Sequence, residues 1–216
     1  MKRTIYVFCV AVFALFSMVS CSKSDSGEDQ VKKSNFNIPA EAKAIIPEEL
    51  IGKMKANGMT INEGTNPPNI QGIFATGDLK MTYTSLGDDD GYSVGEEIPS
   101  YRYKFYDQKG TKVKTDYINE WITSTERATG RGTIISGEGN KFTAYLDVNI
   151  TNGEVKSRDV SVLSGEITPE GIRNIQMGLC IVEKDDPKGE LIPVGGIRVF
   201  NNESSLAVRK QNYPRD

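Results

Sequence analysis

Histidine is absent from this chain of 216 residues, and the chain has only three cysteines and one tryptophan. Without histidine it cannot build a Ser-His-Asp or Cys-His catalytic arrangement, an HExxH motif or a histidine-containing zinc site. Carboxylate pairs and Ser-Lys chemistry remain open to it. Basic side chains number 26 against 29 acidic ones, with no basic cluster, which argues against nucleic acid as a partner.

The first 20 residues predict a signal peptide. Lys2 and Arg3 precede an apolar run from Ile5 to Phe16 that contains no charged side chain. A basic segment followed by an apolar stretch of this length is typical of an export signal. The run is shorter than the roughly 20 apolar residues that a membrane-spanning helix needs. We therefore expect residues 1–20 to be removed.

Cys21 stands where the apolar sequence gives way to a polar run. The tetrapeptide Met18-Val19-Ser20-Cys21 resembles the lipobox of bacterial lipoproteins, in which an apolar residue stands three before the cysteine and a small residue directly before it. The resemblance implies cleavage after Ser20 and three fatty chains, such as palmitate, on Cys21. Three chains anchor a protein permanently, whereas one chain does so only reversibly. An ordinary signal-peptidase site, with Cys21 early in a secreted protein, is the alternative.

Residues 21–38 predict a lipidated cysteine followed by a flexible tether, because the segment is rich in small and charged residues and has no apolar periodicity. Acidic residues soon after the cysteine, here Asp25, Glu28 and Asp29, resemble a signal for surface display in lipoproteins of Bacteroidota. We expect a lipid-anchored protein of the outer membrane, with the cell surface favoured over the periplasmic face.

Cys180 is the one cysteine left after Cys9 is removed with the signal peptide and Cys21 is acylated. A single thiol cannot form an internal disulfide. It lies in the apolar stretch IQMGLCIVEK, where a free cysteine usually behaves as a small buried hydrophobe.

Residues 39–60 predict a helical segment in front of the main domain. Pro47 suits the first turn of a helix and Gly58 suits its C-terminal cap. Leu50, Ile51 and Met54 form a narrow apolar stripe, as expected for a helix that packs against the domain. A helix that binds a partner protein is the alternative.

Four segments resemble a family of outer-membrane lipoproteins in Bacteroidota to which no activity is assigned. They are IPEEL with the following NGM, GTNPPNIQGIF, SGEGNKFTAY and DPKGELIPVGGIRVF. The resemblance spans most of the chain from Pro47 to Ala207 and departs at NNESSLA. It implies an outer-membrane address and a lipocalin-like, calycin-type β-barrel, but no reaction.

Residues 61–216 predict a mainly β domain. KFTAYLDVNI and SYRYKFYD alternate apolar and polar residues, the pattern of half-buried strands. Further strands are predicted at 70–76, 78–85, 113–123, 131–136, 155–166, 172–183 and 193–200. About 8–10 antiparallel strands with short turns indicate an up-and-down meander, which closes as a barrel or packs as a two-sheet sandwich. We favour the barrel, because Gly72-Ile73-Phe74 is similar to the Gly-x-Trp opening of lipocalins.

The interior of a barrel of about eight strands is either filled by side chains or holds one small ligand. We expect a small apolar ligand in a closed, apolar-lined cavity of a few hundred Å³. The alternative is a solid barrel, an interaction or accessory module that binds an envelope protein or glycan through its loops. The candidate ligand-binding residues are Tyr103, Phe105, Trp121, Phe142, Leu146 and Met177.

No catalytic residue, metal or cofactor is predicted, and we expect the chain not to be an enzyme. A hydrolase would need two acids about 5–10 Å apart in one cleft, and no spacing in the sequence indicates such a pair. The stretch LGDDDGYSVGEE resembles a calcium-binding EF-hand loop through Asp88, Asp90, Gly91 and Glu97. Leu86 stands at the first ligand position, so we expect a solvated hairpin loop.

Replacing Cys21 tests the predicted lipid anchor. Cys21→Ser should abolish incorporation of an alkyne-tagged palmitate and release the protein from washed membranes, because position 21 would have no thiol to accept the diacylglyceryl group. Cys9→Ser is the matched control and should keep both label and membrane attachment. Label retained on Cys21→Ser would contradict the prediction.

Overall fold

The computed structural model describes residues 35–202 and 206–214. The predicted signal peptide, Cys21 and most of the predicted tether lie outside these residues. Two short helices come first, and eleven strands of one antiparallel sheet follow. The prediction of a mainly β domain behind a helical segment is therefore confirmed. Within the described residues, no helix combines the length and the hydropathy needed to span a membrane.

The elements are numbered in chain order. The helices are α1 (Ala40–Ile45) and α2 (Glu48–Ala56). The strands are β1 (Gly72–Ala75), β2 (Leu79–Thr84), β3 (Glu97–Ile98), β4 (Tyr101–Lys109), β5 (Lys112–Asn119), β6 (Arg127–Glu138), β7 (Lys141–Asn152), β8 (Val155–Ile167), β9 (Gly171–Asp185), β10 (Ile197–Asn202) and β11 (Leu206–Lys210). A 3₁₀ turn at Gly87–Asp89 lies between β2 and β3.

Eight of the strands close into a ring. β4 to β9 pair in chain order, β1 pairs with β4, and β11 joins β1 to β9. All of these pairings are antiparallel, so the predicted up-and-down order holds for β4 to β9. The sheet closes on itself through β11. In being closed, it agrees with the predicted barrel.

The other three strands depart from the expected meander, and β9 is the reason. Gly171–Arg173 pair with β11, whereas Gln176–Cys180 pair with β10. Asn174 lies between these two parts with a φ of 52°, in the left-handed region. One strand thus serves two neighbours on the same side, and β10, β2 and β3 form a branch outside the ring.

Several predicted boundaries are wrong. The strand expected at 113–123 ends at Asn119, and the one expected at 131–136 begins at Arg127. The strand expected at 193–200 begins at Ile197, because Pro193 to Gly196 form a turn in which the Gly196 N–H donates to the Pro193 carbonyl at 3.0 Å. The predicted tether does not extend to residue 38, since Phe36 and Ile38 are buried against the helices. The Gly64 N–H also donates to the Asn37 carbonyl at 2.8 Å.

The inside of the ring is an apolar core. Alternate residues of β7 point into it, namely Phe142, Ala144, Leu146 and Val148, and all four are fully buried. They meet inward residues of the facing strands, including Phe74, Phe105 and Ile172. The period of two that predicted this strand therefore also identified its inner face.

A second apolar core lies on the outer face of the sheet. Ile51 and Met54 of α2 belong to one cluster with Tyr145, Val162 and Val199. Burying each such side chain stabilises the fold by roughly 1.5–3 kcal/mol. The narrow apolar stripe of α2 thus packs on the domain, as expected.

The segment between α2 and β1 is held to the sheet by polar side chains. The Asn62 N–H donates to Thr143 Oγ1 at 2.8 Å, and the Ser136 hydroxyl donates to the Asn62 carbonyl at 2.6 Å. Thr65 forms a parallel bridge with Gly137. The buried hydroxyls of Thr143 and Ser136 thus form hydrogen bonds with backbone groups of a segment that is not part of a strand. These hydrogen bonds allow the polar side chains to be buried here.

Two glycines in β6 give a matched test of packing. A Cβ at Gly130 would overlap the carbonyl oxygen of Thr115, whereas nothing lies within 4 Å of one at Gly132. Gly130→Ala should lower the free energy of unfolding by roughly 1–3 kcal/mol. Gly132→Ala should leave it unchanged or raise it slightly, because alanine restricts the unfolded chain. Urea denaturation checks this, and equal effects at both positions would contradict the packing.

Candidate functional site

A cavity of about 830 Å³ occupies one end of the ring. At this end lie the start of β4, the end of β5 and the loop that follows it, and the turn between β7 and β8. The loop between β9 and β10 adds Glu190, Leu191 and Ile192 to the wall. The other end of the ring is filled by aromatic side chains such as Phe105 and Phe142.

Large side chains form the apolar part of the cavity lining. Tyr117, Met177 and Phe200 line it and also belong to the buried inner core, so they lie at its base. Tyr101 packs edge-on against Tyr117, with ring centroids 5.7 Å apart. Trp121 lies in the loop after β5 and is 57% exposed, so it stands at the mouth.

Of the six predicted ligand-binding residues, Trp121 and Met177 line this cavity. The other four belong to the packed core and are not among the lining residues, namely Tyr103, Phe105, Phe142 and Leu146. The Tyr103 hydroxyl contacts the Met177 sulfur at 3.1 Å, beneath the base of the cavity. The side chains of these four residues point into the ring, as predicted, but they fill it and do not line the cavity.

The cavity also differs in character from the expected one. It is open rather than closed, it is larger than a few hundred Å³, and polar side chains share its lining with apolar ones. The polar groups include Asp159 and Glu126, which the sequence analysis did not single out.

Asp159 is a buried carboxylate on the inner face of β8. It is 5% exposed and lies across from Val148 on β7 and Ile181 on β9. Burial raises the pKa of Asp159 to about 7, and the charge of Glu126 adds to this, while a hydrogen bond from Ser157 opposes it. Its Oδ1 atom has no hydrogen-bond partner among the described residues.

Glu126 follows the loop after β5 and faces the same cavity. Burial raises the pKa of Glu126, and a hydrogen bond from Asn119 opposes the rise; the Asn119 Nδ2 atom lies 3.2 Å from Glu126 Oε2. Asn119 also accepts from the Trp121 N–H at 2.8 Å. One side chain thus positions both the acid and the loop that carries the tryptophan.

Arg198 is the basic side chain in the lining, and Asp90 holds it. Its Nε donates to Asp90 Oδ2 at 3.0 Å, and its second nitrogen forms an ion pair with Asp90 Oδ1. Burial opposes ionisation of Asp90, but the hydrogen bonds from Arg198 and Thr84 prevail and lower the pKa of Asp90 to about 2. Asp90 is therefore an ion-pair partner in a loop beside the cavity.

The described residues contain no group of three or more acidic or cysteine side chains arranged to hold a metal ion. The sequence of the loop at residues 86–97 resembles an EF-hand, but the described residues of this loop do not form such a group of ligands. Cys180 lies on the outer face of β9 in the cluster with α2. It is free and buried, and burial raises the pKa of its thiol, which fits the expected small hydrophobe.

Asp186 shapes the loop that forms one cavity wall. Its carboxylate accepts from the Glu190 and Leu191 N–H groups, both at 2.9 Å. Lys184 donates to the same carboxylate at 2.9 Å and to the Leu191 carbonyl at 3.0 Å. The backbone hydrogen bond from Leu191 is the largest influence that lowers the pKa of Asp186 to about 2, so the wall is fixed by an ionised carboxylate.

Replacing Asp159 tests its electrostatic state. Asp159→Asn should raise the free energy of unfolding above pH ~7 by roughly 2–4 kcal/mol, because it removes a carboxylate that is costly to ionise in the folded state. The gain should be absent below the ordinary carboxyl pKa of 3.8, grow between 3.8 and about 7, and then stay constant. Urea denaturation across this pH range measures it.

The control for this variant is Asp185→Asn, which removes the same charge from an exposed position of β9. Its effect on the free energy of unfolding should be small and should not show the same rise with pH. A loss of stability on Asp159→Asn at neutral pH would show that the carboxylate is ionised and favourably paired.

Comparisons with protein-family models, with curated proteins and with solved structures found no match to this chain. The function is therefore inferred from the cavity itself. The cavity is distinguished by its size, by the aromatic side chains at its base, and by the buried Asp159 and the half-buried Glu126.

Proposed function

We propose that this chain is an outer-membrane lipoprotein, anchored through acyl chains on Cys21, whose lipocalin-like ring binds a small molecule. The observation that carries the proposal is the cavity of about 830 Å³ at one end of the ring. Small-molecule sites in proteins are clefts of about 300–1,000 Å³ with apolar walls and a few placed polar groups. The mouth of a barrel is one of their usual places.

The ligand is amphipathic on this proposal. The base of the cavity offers Tyr117, Met177 and Phe200 to an apolar body, and the walls add the acids Asp159 and Glu126. A wholly apolar ligand, which the sequence predicts, would shield both acids from water without offering a donor to the Asp159 Oδ1 atom, which costs free energy.

A binding role fits the two acids better than hydrolysis does. Asp159 and Glu126 line the same cavity, which is the arrangement that a carboxylate-pair hydrolase would need. In such enzymes the surroundings push the two pKa values apart, so that one group stays protonated and the other ionised. Here burial raises the pKa of both groups, and no basic side chain among the described residues holds either of them ionised. We therefore propose a non-catalytic protein.

Exposed apolar side chains support the alternative of an interaction module. Ile122 is 95% exposed, and Trp121 and Val194 are each 57% exposed. Trp121 and Ile122 are adjacent in the loop at the cavity mouth. A partner protein or glycan of the cell envelope would contact these side chains, and such binding would need no free cavity.

Native mass spectrometry tests the binding proposal. The chain would begin at Ser22, which keeps the whole described core because both apolar clusters lie between Phe36 and Ala207. We expect a discrete extra mass that organic extraction releases. Ser157→Phe, on the inner face of β8, should lower the fraction of protein that carries the extra mass, because the larger side chain occupies part of the cavity.

Lys156→Phe is the matched control, because Lys156 is the neighbouring exposed residue of β8 and does not line the cavity. It should keep the extra mass. Circular dichroism would establish that both variants fold. A bare mass for the unmodified chain, with no uptake of fatty acids, sterols or alkylamines, would contradict the proposal and favour the interaction module.

A further inference from the structure

The cavity concentrates negative charge. Among the described residues, one basic side chain lines it, Arg198, against five acidic ones: Asp78, Glu97, Glu126, Asp159 and Glu190. The whole chain is far more evenly balanced, with 29 acidic and 26 basic side chains. The imbalance in the cavity is therefore a local property of this site.

Arg198 does not offset this charge, because Asp90 already neutralises it. The guanidinium and the Asp90 carboxylate share two contacts. The guanidinium also lies over the Tyr92 ring, 5.0 Å from the ring centroid. An anionic ligand would have to compete with Asp90 for its only basic partner in the lining.

Asp159 offers an unused acceptor inside the cavity. Asp159 is only 5% exposed, and its Oδ1 atom lacks a hydrogen-bond partner among the described residues. Its strand neighbours Val148 and Ile181 are apolar and cannot donate to it. A buried polar atom without a partner costs free energy that a donor from a ligand would recover.

Aromatic rings stand on the same walls. Tyr101, Tyr117 and Trp121 line the cavity, and the faces of such rings attract cations through their quadrupoles. Ring faces, together with carboxylates that have no basic partner in the part of the chain described, suit a positively charged nitrogen attached to an apolar body.

We propose that the cavity selects an organic cation, an amine on an apolar body, whose nitrogen donates to Asp159 Oδ1 while the body lies against Tyr117, Met177 and Phe200. The inference rests on the proposed binding function and names its ligand class. The raised pKa of Asp159 agrees with it, because the carboxyl is buried without a positive partner among the described residues.

Three probes of equal chain length test the charge preference: decylamine, decanol and decanoate, each below its micelle-forming concentration. Trp121 is the only tryptophan of the chain, so its emission reports on the cavity mouth, and calorimetry gives the affinities. We expect decylamine to bind at least about tenfold more tightly than decanol, the ratio that one charge-assisted hydrogen bond supplies. Decanoate should bind most weakly.

Asp159→Asn should reduce the affinity for decylamine to about that for decanol and leave decanol unchanged. Glu126→Gln provides a second variant on another wall and should weaken decylamine binding to a smaller degree. Asp185→Asn, on an exposed part of β9, controls for general surface charge and should change none of the three affinities.

The outcomes separate this inference from the proposed function. Equal binding of the three probes, or tighter binding of decanoate, would overturn the preference for a cation and leave the binding function in place. An unchanged decylamine affinity in Asp159→Asn would do the same. If none of the three probes binds and the native mass is bare, the binding function fails and the inference fails with it.

Discussion

The pairing of β9 with two strands on one side is the constraint on which the architecture depends. Its first residues join β11, and through β11 and β1 they reach β4, which closes the ring. Its later residues join β10 and the branch. The left-handed φ at Asn174 falls between the two parts. If β9 continued along β11 alone, the branch would lose its support, and the walls that β10 and its loop give to the cavity would be lost with it.

Closure also explains why the two ends of the ring differ. At one end, aromatic side chains supply the apolar burial that holds the inner core, among them Phe74, Phe105 and Phe142. The opposite end can then carry polar and charged side chains, because the fold does not rely on it for burial. Asp159 is the clearest example, because it is buried at a position where burying an apolar side chain would cost less free energy.

The sequence predicted much of this fold and little of the site. Strict alternation in β7 identified a strand and its inner face, because Lys141, Asp147 and Asn149 separate the apolar residues. In β8 apolar residues occur on both faces, with Val160 and Val162 outward and Leu163 inward. Alternation therefore could not assign Asp159 to the interior. The site also depends on which strand ends meet. The left-handed φ at Asn174, between the two pairing parts of β9, has no periodic signal in the sequence.

The branch also determines how the sheet terminates. A ring has no edges, but β10, β2 and β3 end in β3, which is only two residues long, Glu97 and Ile98. Long exposed edge strands offer unpaired N–H and carbonyl groups to other chains, and short edges that carry charge discourage such pairing. In the described part of the chain, this terminal strand pairs with Leu79 and Lys80 of β2 and places the charged Glu97 at the edge. The same branch that helps to form the cavity therefore ends in a form that disfavours edge-to-edge aggregation.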